Sequence, residues 1–125
     1  MSIGIDIVEI TRVERAAARP GFIRRVYTER ERASFSEVPR RAAEQMAGRF
    51  AAKEAVVKVL GRLTCWHDIE ILSLANGSPV VELHGLSREL SEGRRVVVSI
   101  THTQNYAAAV AALASLAVGR VMRRA

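Results

Sequence analysis

Lysine is nearly missing from this chain: of 19 basic residues only two are lysine, Lys53 and Lys58, and the other 17 are arginine. Lysine is a flexible point charge and arginine a rigid planar fork, so two lysines flanking Glu54 mark either a place that wants a compact cation beside a carboxylate or a coincidence. Cysteine is almost as scarce. The single Cys65 excludes an intrachain disulfide framework and a zinc cluster built on several thiolates, which makes a cytoplasmic setting the default expectation. Aromatic residues make up only 5%, so a nucleic-acid surface would have few stacking platforms. No run approaches the roughly 20 apolar residues of a membrane span, and the N-terminus reads at once as a strand, with no basic leader and no apolar signal core. An exported or embedded protein is not expected.

What is present fits one folded domain. With 125 residues, 49% hydrophobic and 26% charged, the chain can build one core, yet is small enough for an active site to need a neighbouring subunit. A single domain spanning residues 1–125 is expected, with a basic-ended flexible tail over 115–125; no repeat or linker argues otherwise. The net charge of +6 and pI of 10.7 favour an anionic partner: nucleic acid, a phosphorylated cofactor or an acidic protein. Charge alone does not choose among them.

Ile3, Ile5 and Ile7 alternate with Gly4, Asp6 and Val8, the period of a strand with one strongly apolar face from which Asp6 points away. Thr11 three residues before Glu14 reads as a capping box and predicts a helix over about 12–19, stopped by Pro20-Gly21. Thr28 with Glu31 predicts a second short helix ending before Pro39. From Arg40 to Leu60 the four-residue spacing of Ala43, Ala47, Ala51, Ala55 and Val59 predicts the longest helix, with Gly61 as its stop. Residues 69–74 and 79–84 read as a hairpin turning at Asn76-Gly77. A short helix near Ser87 to Ser91 leads to strands Arg95–Ile100 and Tyr106–Leu113, joined by the polar turn Thr101–Asn105; the second run, rich in alanine, also suits a helix.

Glu54 and Lys58 are one helical turn apart, a spacing common in surface ion pairs worth a few tenths of a kcal/mol. The flanking Ala51, Ala55, Val56 and Val59 make that part of the helix largely apolar, which strains so bland a reading. Asp6, an acid in an apolar strand, either caps or pairs with a basic residue, the commoner role, or joins Glu54 around a metal ion. Two carboxylates with phosphate oxygens and water are a usual way to hold magnesium, and Lys58 would then offset charge on the same phosphate. His102 lies among the hydroxyls of Ser99, Thr101 and Thr103, either solvated or able to give donors to a phosphate. Arg12, Arg15, Arg19, Arg24 and Arg25, interleaved with Phe22, Ile23 and Val26, make either a solvated face or a dock for an acidic helix. Cys65 and Trp66 are expected to pack at the entry of the next strand.

In this order the pieces resemble the holo-acyl-carrier-protein synthase family, the small 4′-phosphopantetheinyl transferases. The resemblance rests on Ile3-Gly4-Ile5-Asp6-Ile7-Val8, Gly48-Arg49-Phe50-Ala51-Ala52-Lys53-Glu54-Ala55, Lys58 with Leu60-Gly61, and Trp66-His67-Asp68-Ile69-Glu70. It continues through Gly77-Ser78-Pro79 and Ser99-Ile100-Thr101-His102-Thr103 before Tyr106-Ala107, spanning about residues 3–113. It implies an α+β fold with an antiparallel sheet packed against a long helix, and a homotrimer whose active sites lie between subunits. The implied reaction moves 4′-phosphopantetheine from coenzyme A to a serine of an apo acyl carrier protein and releases adenosine 3′,5′-bisphosphate. By position, Asp6 and Glu54 would hold Mg2+ and Lys58 the pyrophosphate. Arg49, Gly61, His102 and Thr103 would contact coenzyme A. Arg12, Arg15, Arg19, Phe22, Arg24 and Arg25 would dock the carrier protein.

One departure concerns the loop Gly61-Arg62-Leu63-Thr64-Cys65, which is shorter and poorer in glycine than is usual in the family. A homologue that binds carrier protein or coenzyme A without reacting is therefore one alternative. A basic nucleic-acid module is the other, and no known nucleic-acid motif supports it.

Overall fold

The computed structural model describes residues 2–115, so all but the first residue of the expected tail lies outside the described residues. Strand β1 (Ser2–Glu9) runs directly into helix α1 (Ile10–Ala17), followed by the short helices α2 (Phe22–Val26) and α3 (Glu29–Ala33) and the long helix α4 (Pro39–Leu60). A 3-10 turn (Trp66–Asp68) then enters the hairpin β2 (Ile69–Ser73) and β3 (Pro79–Leu83), before α5 (Gly85–Ser91), β4 (Val96–His102) and β5 (Tyr106–Leu113). Strands β1, β5 and β4 form one antiparallel sheet in that order, which leaves β1 and β4 as its edges. The fold is the expected α+β arrangement.

Helix α4 holds the molecule together. Pro39 sits in its first turn and Gly61 ends it with φ +96, a left-handed conformation that glycine adopts without penalty. Its small residues let the sheet come close. A Cβ added to Gly4 would stand 2.4 Å from the Ala55 carbonyl oxygen, so only glycine permits β1 to lie against the helix there. Ala51, Ala52, Ala55, Val56 and Val59 pack with Ile69, Ile71, Val96, Ala109, Ala111 and Leu113, while Ala43, Met46 and Ala47 pack with Ile10, Val13, Val26, Tyr27 and Ala107.

Several local expectations change. Thr11 does not cap α1: the helix begins at Ile10 with Glu9 before it and no side-chain cap, because the Ile10 amide donates to the Asn105 carbonyl at 2.9 Å. A tertiary contact replaced the box. Helix α2 was not legible, its five residues being too few to show a period; it begins after Gly21, at φ +85. Thr28 and Glu31 do form the reciprocal capping box. The alanine-rich run is strand β5, with Ala107, Ala109, Ala111 and Leu113 alternating inward. Strand β4 continues through His102, so the turn shrinks to residues 103–105.

The isoleucine face of β1 is the outer one. Gly4, Asp6 and Val8 turn toward α4, while Ile3, Ile5 and Ile7 are 69%, 66% and 64% exposed. In register beside them stand Ala112, Val110 and Ala108 of β5 and then Val97 and Ser99 of β4, an apolar surface three strands wide that nothing covers among the described residues.

Lys53 and Glu31 are both wholly buried and form an ion pair at 2.9 Å. The Lys53 ammonium also donates to the carbonyls of Trp66 (2.9 Å) and Ile69 (2.7 Å), while Glu31 accepts from the amides of Thr28 (2.8 Å) and Ile71 (2.7 Å). All three ammonium protons are used. Burial pulls the lysine below its ordinary pKa, and the Glu31 carboxylate opposes that pull. A Lys53→Met chain retains volume but strands a buried carboxylate, so it should lose about 3–5 kcal/mol of stability. Urea unfolding measures this, and a loss under about 1 kcal/mol would mean that the pair contributes little.

Candidate active site

The sheet and α4 bring Asp6 and Glu54 together. Asp6 points from β1 toward the helix, Glu54 comes from the facing side of α4, and both line one cleft of about 400 Å³. Val8, Val13, Phe22 and Phe50 form its apolar wall, and Arg12 and Arg19 also border it. Burial raises the pKa of Glu54, the nearby Asp6 charge raises it further, and Lys58 acts in the opposite direction. Lys58 does not simply pair with Glu54 along the helix. Its ammonium donates to the Ile5 carbonyl at 2.7 Å and lies 3.4 Å from an Asp6 carboxylate oxygen.

The chemistry of this donor set suits a hard divalent cation. Two carboxylates face one cleft, their charges work against each other, and one exposed lysine compensates only in part. Hard oxygen donors of this kind are what magnesium takes. A second group with ligand atoms within 4.8 Å of one another, Glu70, Glu82 and His84, lies on the β2–β3 hairpin. There Arg30 already supplies the cation, at 3.3 Å from Glu70 and 3.2 Å from Glu82.

The remaining residues expected to contact coenzyme A are divided. Gly61 ends α4 one turn beyond Lys58 and is exposed. Arg49 and His102 instead line a separate cleft of about 160 Å³ with Arg41, Glu44, Gln45 and Gly48, on the side of α4 that faces β4. It shares no residue with the Asp6–Glu54 cleft. The Arg49 guanidinium donates to the Ile71 carbonyl (3.3 Å) and the Ser73 hydroxyl (3.1 Å). Burial lowers its pKa, with Glu31 opposing. His102 is half exposed, 4.0 Å from the Glu44 carboxylate. Thr103 closes the β4–β5 turn, its hydroxyl accepting from the Tyr106 amide at 3.2 Å. Within one chain, then, Asp6 stands on one edge of the sheet and His102 on the other.

Arg12, Arg15, Arg19, Arg24 and Arg25 are all exposed, and Phe22 is half-buried in the wall of the cleft. Arg41 and Glu44 went unnoticed in the sequence because helix α4 was read there by its apolar spacing alone. Trp66 packs on Phe50 with ring centroids 5.4 Å apart, whereas Cys65 is exposed and takes no part in that packing.

A family model described as the 4′-phosphopantetheinyl transferase superfamily matches residues 2–111. The chain belongs to that family. A holo-[acyl-carrier-protein] synthase of Moorella thermoacetica is 44% identical over 123 residues, covering 92% of this chain and 94% of the relative. Among solved structures, the holo-[acyl-carrier-protein] synthase of Helicobacter pylori in complex with coenzyme A superposes with TM-score 0.79 at 28% identity, covering 90% of this chain and 100% of that one. The Bacillus anthracis synthase in complex with CoA (3′,5′-ADP) gives TM-score 0.74 at 33% identity over 89% of this chain and 93% of its own. Among the described residues no helix is long and apolar enough to cross a membrane.

Proposed function

We propose that this chain is a holo-[acyl-carrier-protein] synthase, a cytoplasmic single-domain enzyme that uses Mg2+ and works as a homotrimer. It transfers 4′-phosphopantetheine from coenzyme A to a serine of an apo acyl carrier protein. The observation that carries the reading is the meeting of Asp6 and Glu54 in one cleft, with Lys58 held on Asp6.

The serine hydroxyl attacks the phosphorus that bears the pantetheine. The new bond is serine oxygen to phosphorus, the bond that breaks joins that phosphorus to the bridging pyrophosphate oxygen, and adenosine 3′,5′-bisphosphate leaves. Magnesium held by Asp6 and Glu54 would offset the charge of the pyrophosphate oxygens. Lys58 contributes a second positive charge to the same group. Glu54, whose surroundings raise its proton affinity, accepts the serine proton, directly or through a water.

Arg49, His102 and Thr103 are assigned to the 3′-phosphate end of coenzyme A, with Gly61 lying by the pyrophosphate. Their placement on the far side of α4 from Glu54 suits a site completed by a neighbouring subunit, and the uncovered face of Ile3, Ile5, Ile7 and Val110 is the surface on which that neighbour would sit. The exposed arginines at 12, 15, 19, 24 and 25, with Phe22, take the acidic carrier protein.

Incubating the protein with coenzyme A, Mg2+ and an apo carrier protein should raise the carrier's intact mass by one phosphopantetheine. Unchanged mass across several carriers would sink the transferase reading; heat on mixing in calorimetry without any mass change would establish a homologue that binds and does not react.

A further inference from the structure

Helix α2 ends with a carbonyl that its own backbone does not satisfy. The Ile23 oxygen accepts from the Tyr27 amide at 2.9 Å, but the Thr28 amide, which would serve Arg24 if the helix continued, is turned to Glu31 at 2.8 Å in the capping box of α3. Helix ends leave such carbonyls to be met by another group. Here it is a side chain: the His67 Nε2 lies 2.6 Å from the Arg24 oxygen. A carbonyl only accepts, so Nε2 carries the proton, and it does so in one neutral tautomer as well as in the imidazolium.

His67 belongs to the 3-10 turn Trp66–Asp68, and that turn is anchored to α4 by the buried Lys53, the chain neighbour of Glu54, through the Trp66 and Ile69 carbonyls. A second line runs in parallel. Trp66 packs on Phe50 and Phe50 lies 6.3 Å, centroid to centroid, from Phe22, the first residue of α2 and part of the wall of the Glu54 cleft. Helix α2 is thereby tied to the catalytic helix at its start through aromatic packing and near its end through His67. Between these ties its exposed side chains are Arg24 and Arg25.

We propose that His67 is a positioning residue for carrier-protein recognition: by holding the Arg24 carbonyl it fixes the direction in which Arg24 and Arg25 face relative to the Glu54 cleft. The inference rests on the arginine surface being the carrier dock proposed above. Because His67 lines neither the Asp6–Glu54 cleft nor the Arg49–His102 cleft, its loss acts on one substrate only.

Steady-state kinetics of the full chain with apo carrier protein and coenzyme A test this. His67→Phe, which retains a ring but no donor, should raise KM for the carrier about 3- to 10-fold, the scale of one lost hydrogen bond, with kcat and KM for coenzyme A changed less than about twofold. His67→Gln, which again offers a side-chain N–H, should recover most of the loss. An unchanged carrier KM in His67→Phe overturns the proposal, as does an equal loss in both KM values and kcat together with a lower melting temperature, which would mark a folding role alone. The double variant Arg24→Glu, Arg25→Glu separates the two layers of the argument. If it leaves the carrier KM unchanged, the dock itself is misplaced; if it raises that KM while His67→Phe does not, only the role of His67 fails.

Discussion

Replacing Glu54 by glutamine should lower phosphopantetheine transfer by about a thousandfold or more while leaving the chain folded. The substitution retains size and shape and removes the proposed proton acceptor and one charge of the proposed metal site. Glu54 stands where both losses matter: it shares its cleft with Asp6, and its pKa is raised first by burial and then by the Asp6 charge. Taking away one of two crowded negative charges costs the fold little, because the repulsion goes with it. The rate is read from the intact mass of the carrier protein over time, and the fold from the melting temperature. Asp6→Asn should behave in the same way, since Asp6 holds Lys58 and is the second ligand of the proposed metal site. Activity of Glu54→Gln within about tenfold of the parent would remove Glu54 from the chemistry.

An Ile5→Glu chain should fold, fail to assemble and lose transfer by more than about a hundredfold. Ile5 is 66% exposed within one chain, so a charge there faces water in the monomer. At a subunit contact the same charge would be buried without a partner, at a cost of several kcal/mol on top of roughly 1.5–3 kcal/mol of lost apolar burial. Sedimentation or light scattering reads the mass of the assembly. A trimer that persists, or a monomer with full activity, would refute the shared site. The division of the clefts allows a sharper form of the test. Chains carrying Glu54→Gln lack one cleft and chains carrying His102→Ala lack the other, so mixed assemblies should regain activity that neither variant has alone. If subunits exchange and no activity returns, both clefts must serve within one chain.

Much of the fold was legible because its signals are local. The spacing of alanines from Ala43 to Val59, with glycine after, identifies α4, and Asn76-Gly77 between two apolar runs identifies the hairpin. Where a distant contact decided the outcome, local reading failed or left a choice open. Thr11 offered a cap, yet the Ile10 amide found the Asn105 carbonyl instead. The alanines of 107–113 read as a strand with a helix as the alternative, and the choice is made by pairing with β1 on one side and β4 on the other. Lys53 shows the same limit in the site: adjacent to Glu54 in the chain, it points inward to Glu31, Trp66 and Ile69, a destination that no spacing along the sequence discloses.

Sequence by itself determined the residue types and their order: two acids, a lysine one turn beyond the second, and a histidine among hydroxyls. The resemblance to a phosphopantetheinyl transferase rested on the longer motifs around them, in order from Ile3 to Ala107. Tertiary structure alone decided which of them meet. Gly4 lets α4 lie close enough to β1 for Asp6 to face Glu54, and the same helix separates them from His102. The two lysines, alike in sequence, became unlike in space because five residues on a helix is about 140° of rotation, which turns one ammonium into the core and the other out to Asp6.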